Sequence, residues 1–273
     1  MIEVNCFEEV IQIKTGTAFA GEVRNWATVY LVDGLLIDTG CHNAREDLAQ
    51  FLQDHPVKLV VNTHYHEDHI GANHILQNRF GARLMASAES VPLINQVPEM
   101  YRIREILWGT PQPTLVDCLP PRIQTDRFCF DVIDTPGHCR GHVVLLERTK
   151  GWCFSGDLFV AREPRLFRPV EEDLTETVRS MRKLLDLGTE RLVLFTSMGG
   201  VEWDGREALQ SCLENYRRWS ERAKQLEKQG LSAAAIRDEL FGGESTIAQI
   251  TNGDMSSEHL VHALLGADMR PSS

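Results

Sequence analysis

Long apolar runs are missing from this chain. It has no uncharged apolar stretch of about 18 residues, the length a bilayer-spanning helix needs, so no membrane-spanning helix is expected. The opening MIEVNCFEEV carries neither a basic segment nor an apolar one, so no secretory signal is expected and a cytoplasmic setting follows. Seven cysteines, an odd and scattered set without one CxxC pair, read as free thiols in a reducing compartment. Internal repeats, low-complexity tracts and long linkers are absent from the sequence, which excludes solenoids and disordered chains. Positive charge is short as well. Lys and Arg number 28 against 39 Asp and Glu, a formal net charge of −11. A surface of that sign repels phosphate backbones, so a general nucleic-acid binder is not expected.

What is present is an ordinary globular composition, 42% hydrophobic and 25% charged over 273 residues. That suits one large domain, or one with an appendage. Short strand-like runs at 11–14, 28–32 and 35–38 surround the turn pair Asp33-Gly34. Asn43 is placed to cap a helix running to about residue 53. The run KLVVN at 58–62 reads as a strand covered on both faces. A helix near 72–79 and a strand at 83–86 follow. Segment 87–125 is rich in proline and carries a helical pattern over 99–108. Strands return at 128–134, 143–147, 152–155 and 191–195, with an amphipathic helix at 175–187 between the last two. Beyond Gly205 the pattern is helical, over 207–229, from Ser232 to Gly242, and from Ser257 to Leu265. Strands interspersed with helices predict sheets packed between helices. The expected division is a core domain over 1–204 and a helical extension over 205–273.

The strongest signal is Thr63-His64-Tyr65-His66-Glu67-Asp68-His69-Ile70-Gly71. Four potential ligands fall within six residues, directly after an apolar strand. Imidazole and carboxylate suit zinc, iron and manganese. In an extended stretch His64 and His66 share a side. A turn must then bring Asp68 and His69 to a second position. One loop could thus serve two neighbouring metals.

This stretch resembles the T-H-x-H-x-D-H-x-G signature of the metallo-β-lactamase superfamily. Leu35–Gly40 (LLIDTG), Thr135-Pro136-Gly137-His138 and Phe154-Ser155-Gly156-Asp157 resemble its further motifs, in the same order, across roughly 24–200. The resemblance implies a four-layer αββα sandwich with its site at one edge. It implies His64, His66 and His138 on a first metal, Asp68 and His69 on a second, and Asp157 bridging both. Asp38 would orient the His loop through hydrogen bonds.

One expected ligand is missing. Met198 stands where the family supplies a further His, and the chain has no His between His142 and His259. A thioether is a poor partner for zinc or manganese. The expectation is therefore one tightly held divalent metal, zinc first and iron or manganese as alternatives, with a partial second site. Glu202 or Asp204 could substitute there; His259 and His262 fit a helix surface better.

The resemblance implies a metallo-hydrolase that cuts a small ester, thioester or lactone through metal-bound hydroxide, with Asp68 orienting the nucleophile or moving its proton. Two alternatives stay open: a mononuclear iron oxidoreductase like the persulfide dioxygenases, and a non-catalytic ligand binder. Arg162, Arg165 and Arg168 follow the fourth motif; they either hold an anionic small-molecule substrate or face water. Segment 87–125 is either a lid or a packing insert. His142 reads as structural. Cys41 and Cys139, beside motif residues, read as buried and inert. The number of chains in the assembly is not determined by these residues.

Overall fold

Period-two alternation in fully buried strands sets the layers. Leu36 faces one apolar cluster while Leu35 and Ile37 face another; Val60 and Val61 divide in the same way. In a second set, Val144, Leu146, Cys153 and Leu194 face outward helices, while Leu145, Trp152, Phe154 and Phe195 face inward. Successive side chains of a strand point to opposite faces, so a continuous apolar run must be covered on both. The computed structural model describes residues 1–23 and 25–269. Arg24, and residues 270–273 at the end of the expected extension, lie outside the described residues.

Two mixed sheets result. The first has the order Ile2–Phe7, Val10–Thr15, Ala27–Val32, Leu35–Ile37, Leu59–Val61, Arg83–Ala86, Asp117–Cys118. The second runs Arg122–Gln124, Cys129–Asp134, Val143–Glu147, Trp152–Gly156, Val193–Thr196, Val201–Glu202. Tyr30, Ile37 and Val61 of the first meet Phe130, Phe154 and Phe195 of the second in the inter-sheet core. Leu48, Leu52, Ile75 and Leu76 cover the outer face of the first sheet. Val178, Met181, Leu209, Cys212, Leu260 and Leu264 cover that of the second. The αββα order expected from the sequence is the order observed.

Helix Gly205–Lys228 shares one buried cluster with helix Leu174–Asp186 and the second sheet, so the chain beyond residue 205 supplies part of the outer layer. Asp173, Asp204 and Ser232 cap their helices, each accepting from a backbone N–H three residues on.

The structure corrects several local readings. Asn43 does not cap a helix. Its Nδ2 donates to Thr17 Oγ1 at 2.9 Å and to the Ile106 carbonyl at 3.3 Å, and the helix begins at Arg45 after a 3-10 turn. A tertiary hydrogen bond outcompeted the local one. The strand Ile2–Phe7 was not foreseen; its middle four residues are exposed, and pairing with Val10–Thr15 holds it on the sheet edge. The pattern over 99–108 yields a helix only from Arg102. Pairs and triplets such as Asp117–Cys118 and Arg122–Gln124 are too short and polar to leave a periodic signal.

Candidate metal centre

The loops at the C-terminal ends of five strands converge at one sandwich edge. They carry Asp38, the 63–71 stretch, His138, Asp157 and Ser197. Asp38 adopts a left-handed backbone at φ 61°, a conformation Asp tolerates better than most residues. Its carboxylate accepts from the Thr63 N–H at 2.7 Å, the Thr63 hydroxyl, and His69 Nδ1 at 2.8 Å. One acid thus fixes both ends of the His loop. Gly71 closes that loop against residues 40–42, where any Cβ would lie 2.2 Å from the His42 nitrogen. The last position of the signature is therefore glycine for steric reasons.

Three imidazole nitrogens meet. His66 Nδ1 lies 3.0 Å from His64 Nε2 and 2.9 Å from His138 Nε2. The opposite nitrogen of each ring is tied down. His66 Nε2 donates to Glu171 Oε1 at 3.1 Å, and His138 Nδ1 to Glu172 Oε1 at 2.8 Å. His64 Nδ1 sits 3.0 Å from Thr63 Oγ1. Because the Thr63 hydroxyl hydrogen goes to Asp38, His64 donates here and its Nε2 keeps a lone pair facing the other two rings. Burial, and then the neighbouring rings of His69, His66 and His138, hold His64 well below its ordinary pKa.

Asp157 spans the cluster. Its Oδ1 is 3.3 Å from His69 Nε2 and its Oδ2 is 3.4 Å from His138 Nε2. Burial would raise its pKa, but His138 and His69 override that and keep it ionised. Asp68 Oδ2 stands 3.8 Å from His69 Nε2. Burial works against a proton on His69, yet Asp38, Asp68 and Asp157 together raise its pKa well above the usual value. His69 Nε2 is buried and has no hydrogen-bond partner among the described residues. Of the six residues singled out in the sequence, His64, His66 and His138 meet at one point, Asp157 reaches both His138 and His69, and Asp68 stands beside His69.

His142 is structural. Its Nε2 accepts from the Asp157 N–H at 3.0 Å, its Nδ1 meets Thr135 Oγ1 at 2.9 Å, and burial drops its pKa to about 3. A Cβ on Gly156 would come within 2.6 Å of His142 Nε2, so this packing requires glycine. The Cys139 sulfur lies among His64 and His66, but burial and then Glu171 and Asp157 push its thiol pKa far up.

Sequence reading missed Glu171, Glu172 and Ser197. The first two precede the helix cap Asp173, whose N–H donates to the Gly137 carbonyl at 2.7 Å and so holds the pair against the His138 loop. Only three successive acids marked them in the sequence. Burial would raise the Glu172 pKa, but Arg165 and then His138 hold it at about 2. The three arginines do not act alike. Arg162 pairs with Glu202 and Glu207, whereas Arg165 and Arg168 both turn onto Glu172. Arg165 also lines a small cavity with His138 and Asp157. Glu202 is occupied by Arg162, and Asp204 caps a helix, so neither replaces the absent ligand. Met198 is 49% exposed. His259 donates to the Asp254 carbonyl and His262 is exposed on its helix.

Comparison with known proteins identifies the family. Residues 27–196 match the family model described as the metallo-beta-lactamase superfamily. A hydroxyacylglutathione hydrolase of Thermosynechococcus vestitus is 30% identical over 47% of this chain and 45% of its own length. Hydroxyacylglutathione hydrolase GloC of Haemophilus influenzae is 31% identical over 63% of this chain and 82% of its own. The chain thus spans under half of the first relative and most of the second. A crystal structure of a beta-lactamase domain protein from Burkholderia ambifaria covers 96% of this chain, and the alignment covers 87% of that protein, at a TM-score of 0.70 and 17% identity; at that identity the likeness concerns the fold. No helix among the described residues is long and apolar enough to cross a membrane. With the αββα layers, the motif order and the match over most of its length, the chain belongs to the metallo-beta-lactamase superfamily.

Proposed function

We propose that the protein is a metal-dependent hydrolase of small esters, thioesters or lactones. One observation carries this reading: three imidazoles turn a nitrogen to a common point while a carboxylate or hydroxyl fixes each opposite nitrogen. Ligating histidines are held in this way. Tetrahedral zinc with nitrogens at about 2.05 Å separates them by about 3.3 Å, little more than the spacing here. The buried, partnerless His69 Nε2 fits a second cation position beside Asp68 and Asp157.

His64, His66 and His138 would hold the first cation, zinc in our reading, Asp68 and His69 a weaker second, and Asp157 would reach both. A divalent cation there supplies a water acidified towards neutrality and a positive charge for the developing oxyanion. The chain's residues supply the rest. In this reading Asp68 would take the proton of the attacking water and return it to the leaving sulfur or oxygen. As the new carbon–oxygen bond forms, the acyl carbon–sulfur or carbon–oxygen bond breaks, and the products are an acid and a thiol or alcohol, or from a lactone a single hydroxy acid. Arg165 borders a small cavity beside Asp157 and His138, with its charge already met by Glu172. The names of the two curated relatives place hydroxyacylglutathione, a thioester, as those proteins' substrate. All seven cysteines are free, which supports a cytoplasmic setting.

The decisive test is hydrolysis of ester, thioester and lactone panels by protein stripped with chelator and then reloaded with zinc, iron or manganese. Turnover should vanish on stripping, return with metal and be absent in His64→Ala. No turnover with any loaded metal would overturn the hydrolase reading. Met198, exposed where a ligand was expected, favours one further reading, a single-iron oxidoreductase. Oxygen uptake by the iron-loaded form alone would select it.

A further inference from the structure

We propose that the cleft beside His66 binds an apolar acyl chain of the substrate, of medium length rather than a short hydroxyacyl group; this rests on the hydrolase reading above. The cleft encloses about 480 Å³, within the range of small-molecule sites. Its wall includes His66, one of the candidate ligands, and Glu171, which accepts from His66 Nε2. The rest of the lining mixes apolar and charged side chains. Of the apolar ones, Leu93, Val97, Met100 and Tyr101 come from segment 87–125, and Val170 and Tyr65 complete them. Tyr101 and Val170 are 41% and 67% exposed, large apolar side chains left open to water beside a reactive centre.

Most polar groups of the wall are already engaged. Arg104 donates to Glu67. Glu171 accepts from His66 and from the Tyr65 hydroxyl at 3.0 Å. Asp254 accepts from the Val170 N–H at 3.4 Å. Glu99 and Arg140 are solvent-exposed. A hydroxyl on the acyl group would therefore lose its water and find few free partners, which is unfavourable. A methylene chain would gain from each group buried, about fourfold in affinity per methylene.

Two measurements test this on the zinc-loaded protein. One is kcat/KM for acetyl, butyryl, hexanoyl and octanoyl thioesters of one thiol, with a hydroxyacyl thioester beside them. The other is calorimetric binding of acetate, butyrate, hexanoate and octanoate, which needs no turnover. Both should rise with chain length, by up to about 250-fold from butyryl to octanoyl where all four added methylenes are buried. Tyr101→Asp with Val170→Asp, changes at exposed positions, should flatten both slopes. Flat slopes in the wild type, a preference for the hydroxyacyl compound, or unchanged slopes in the double variant would overturn the proposal. Chain-length-dependent binding without turnover of any thioester would sink the hydrolase reading and leave the cleft assignment standing.

Discussion

The Ser197 hydroxyl donates to Asp157 Oδ1 across 2.5 Å. Ser197 is buried and precedes the exposed Met198, so the turn that would present a further ligand instead presents a hydrogen-bond donor. That donor holds the carboxylate oxygen nearest His69. It draws electron density from the oxygen that faces His69.

The first prediction concerns metal content. Protein purified without added metal should carry close to one tightly held ion per chain by elemental analysis, and Met198→His should raise this towards two. Two tightly bound ions in the wild type would contradict the weakened second site.

The carboxylate that faces both sides should matter more than a group on one side. Asp157→Ala should remove metal almost completely, whereas His69→Ala should leave the first ion bound. Equal retention by the two variants, measured after dialysis against chelator, would contradict the bridging role.

Glu171 and Glu172 hold neighbouring histidines but differ in burial, at 41% and 4% side-chain exposure. Glu172 also neutralises Arg165 and Arg168. Glu172→Gln should lower metal affinity by about 10- to 100-fold and stability by about 3 kcal/mol, because it leaves buried charge uncompensated. Glu171→Gln should weaken metal binding with little change in stability. Chelator competition and denaturant unfolding separate the two effects.

Glu244 gives a pH-dependence away from the centre. Burial would raise its pKa, but donation by the Ser256 hydroxyl and the Ser257 and Ser245 N–H groups holds it at about 2 against an ordinary 4.5. The unfolded chain then takes up this proton first as pH falls. The stabilisation is fully present above pH 4.5 and disappears towards pH 2, amounting to about 1 kcal/mol after allowance for solvent screening. Glu244→Gln should remove this step from unfolding curves between those limits. A wild-type profile in the variant would contradict it.

Much of the fold and centre was legible in the chain because the signals were local. Leu35, Leu36 and Ile37 are apolar in succession because the strand is covered on both faces, and the 63–71 signature is dense because one loop supplies several ligands. The misses were contacts between distant segments. Asn43 turns to residues 26 and 63 positions away instead of capping. Glu171 reaches His66 across 105 positions and Glu172 reaches His138 across 34.

The sequence by itself determined the strands covered on both faces and the dense His-Asp loop, which follow from periodicity and residue chemistry, and its resemblance to a family implied the layers, the motif order, the six candidate ligands and the missing histidine. Tertiary structure alone decided which nitrogen each imidazole turns inward, that Arg165 and Arg168 neutralise an acid, and that Ser197 fills the gap beside Asp157. Those outcomes depend on where five strand ends meet, and no spacing along the chain encodes the distance between side chains on separate loops.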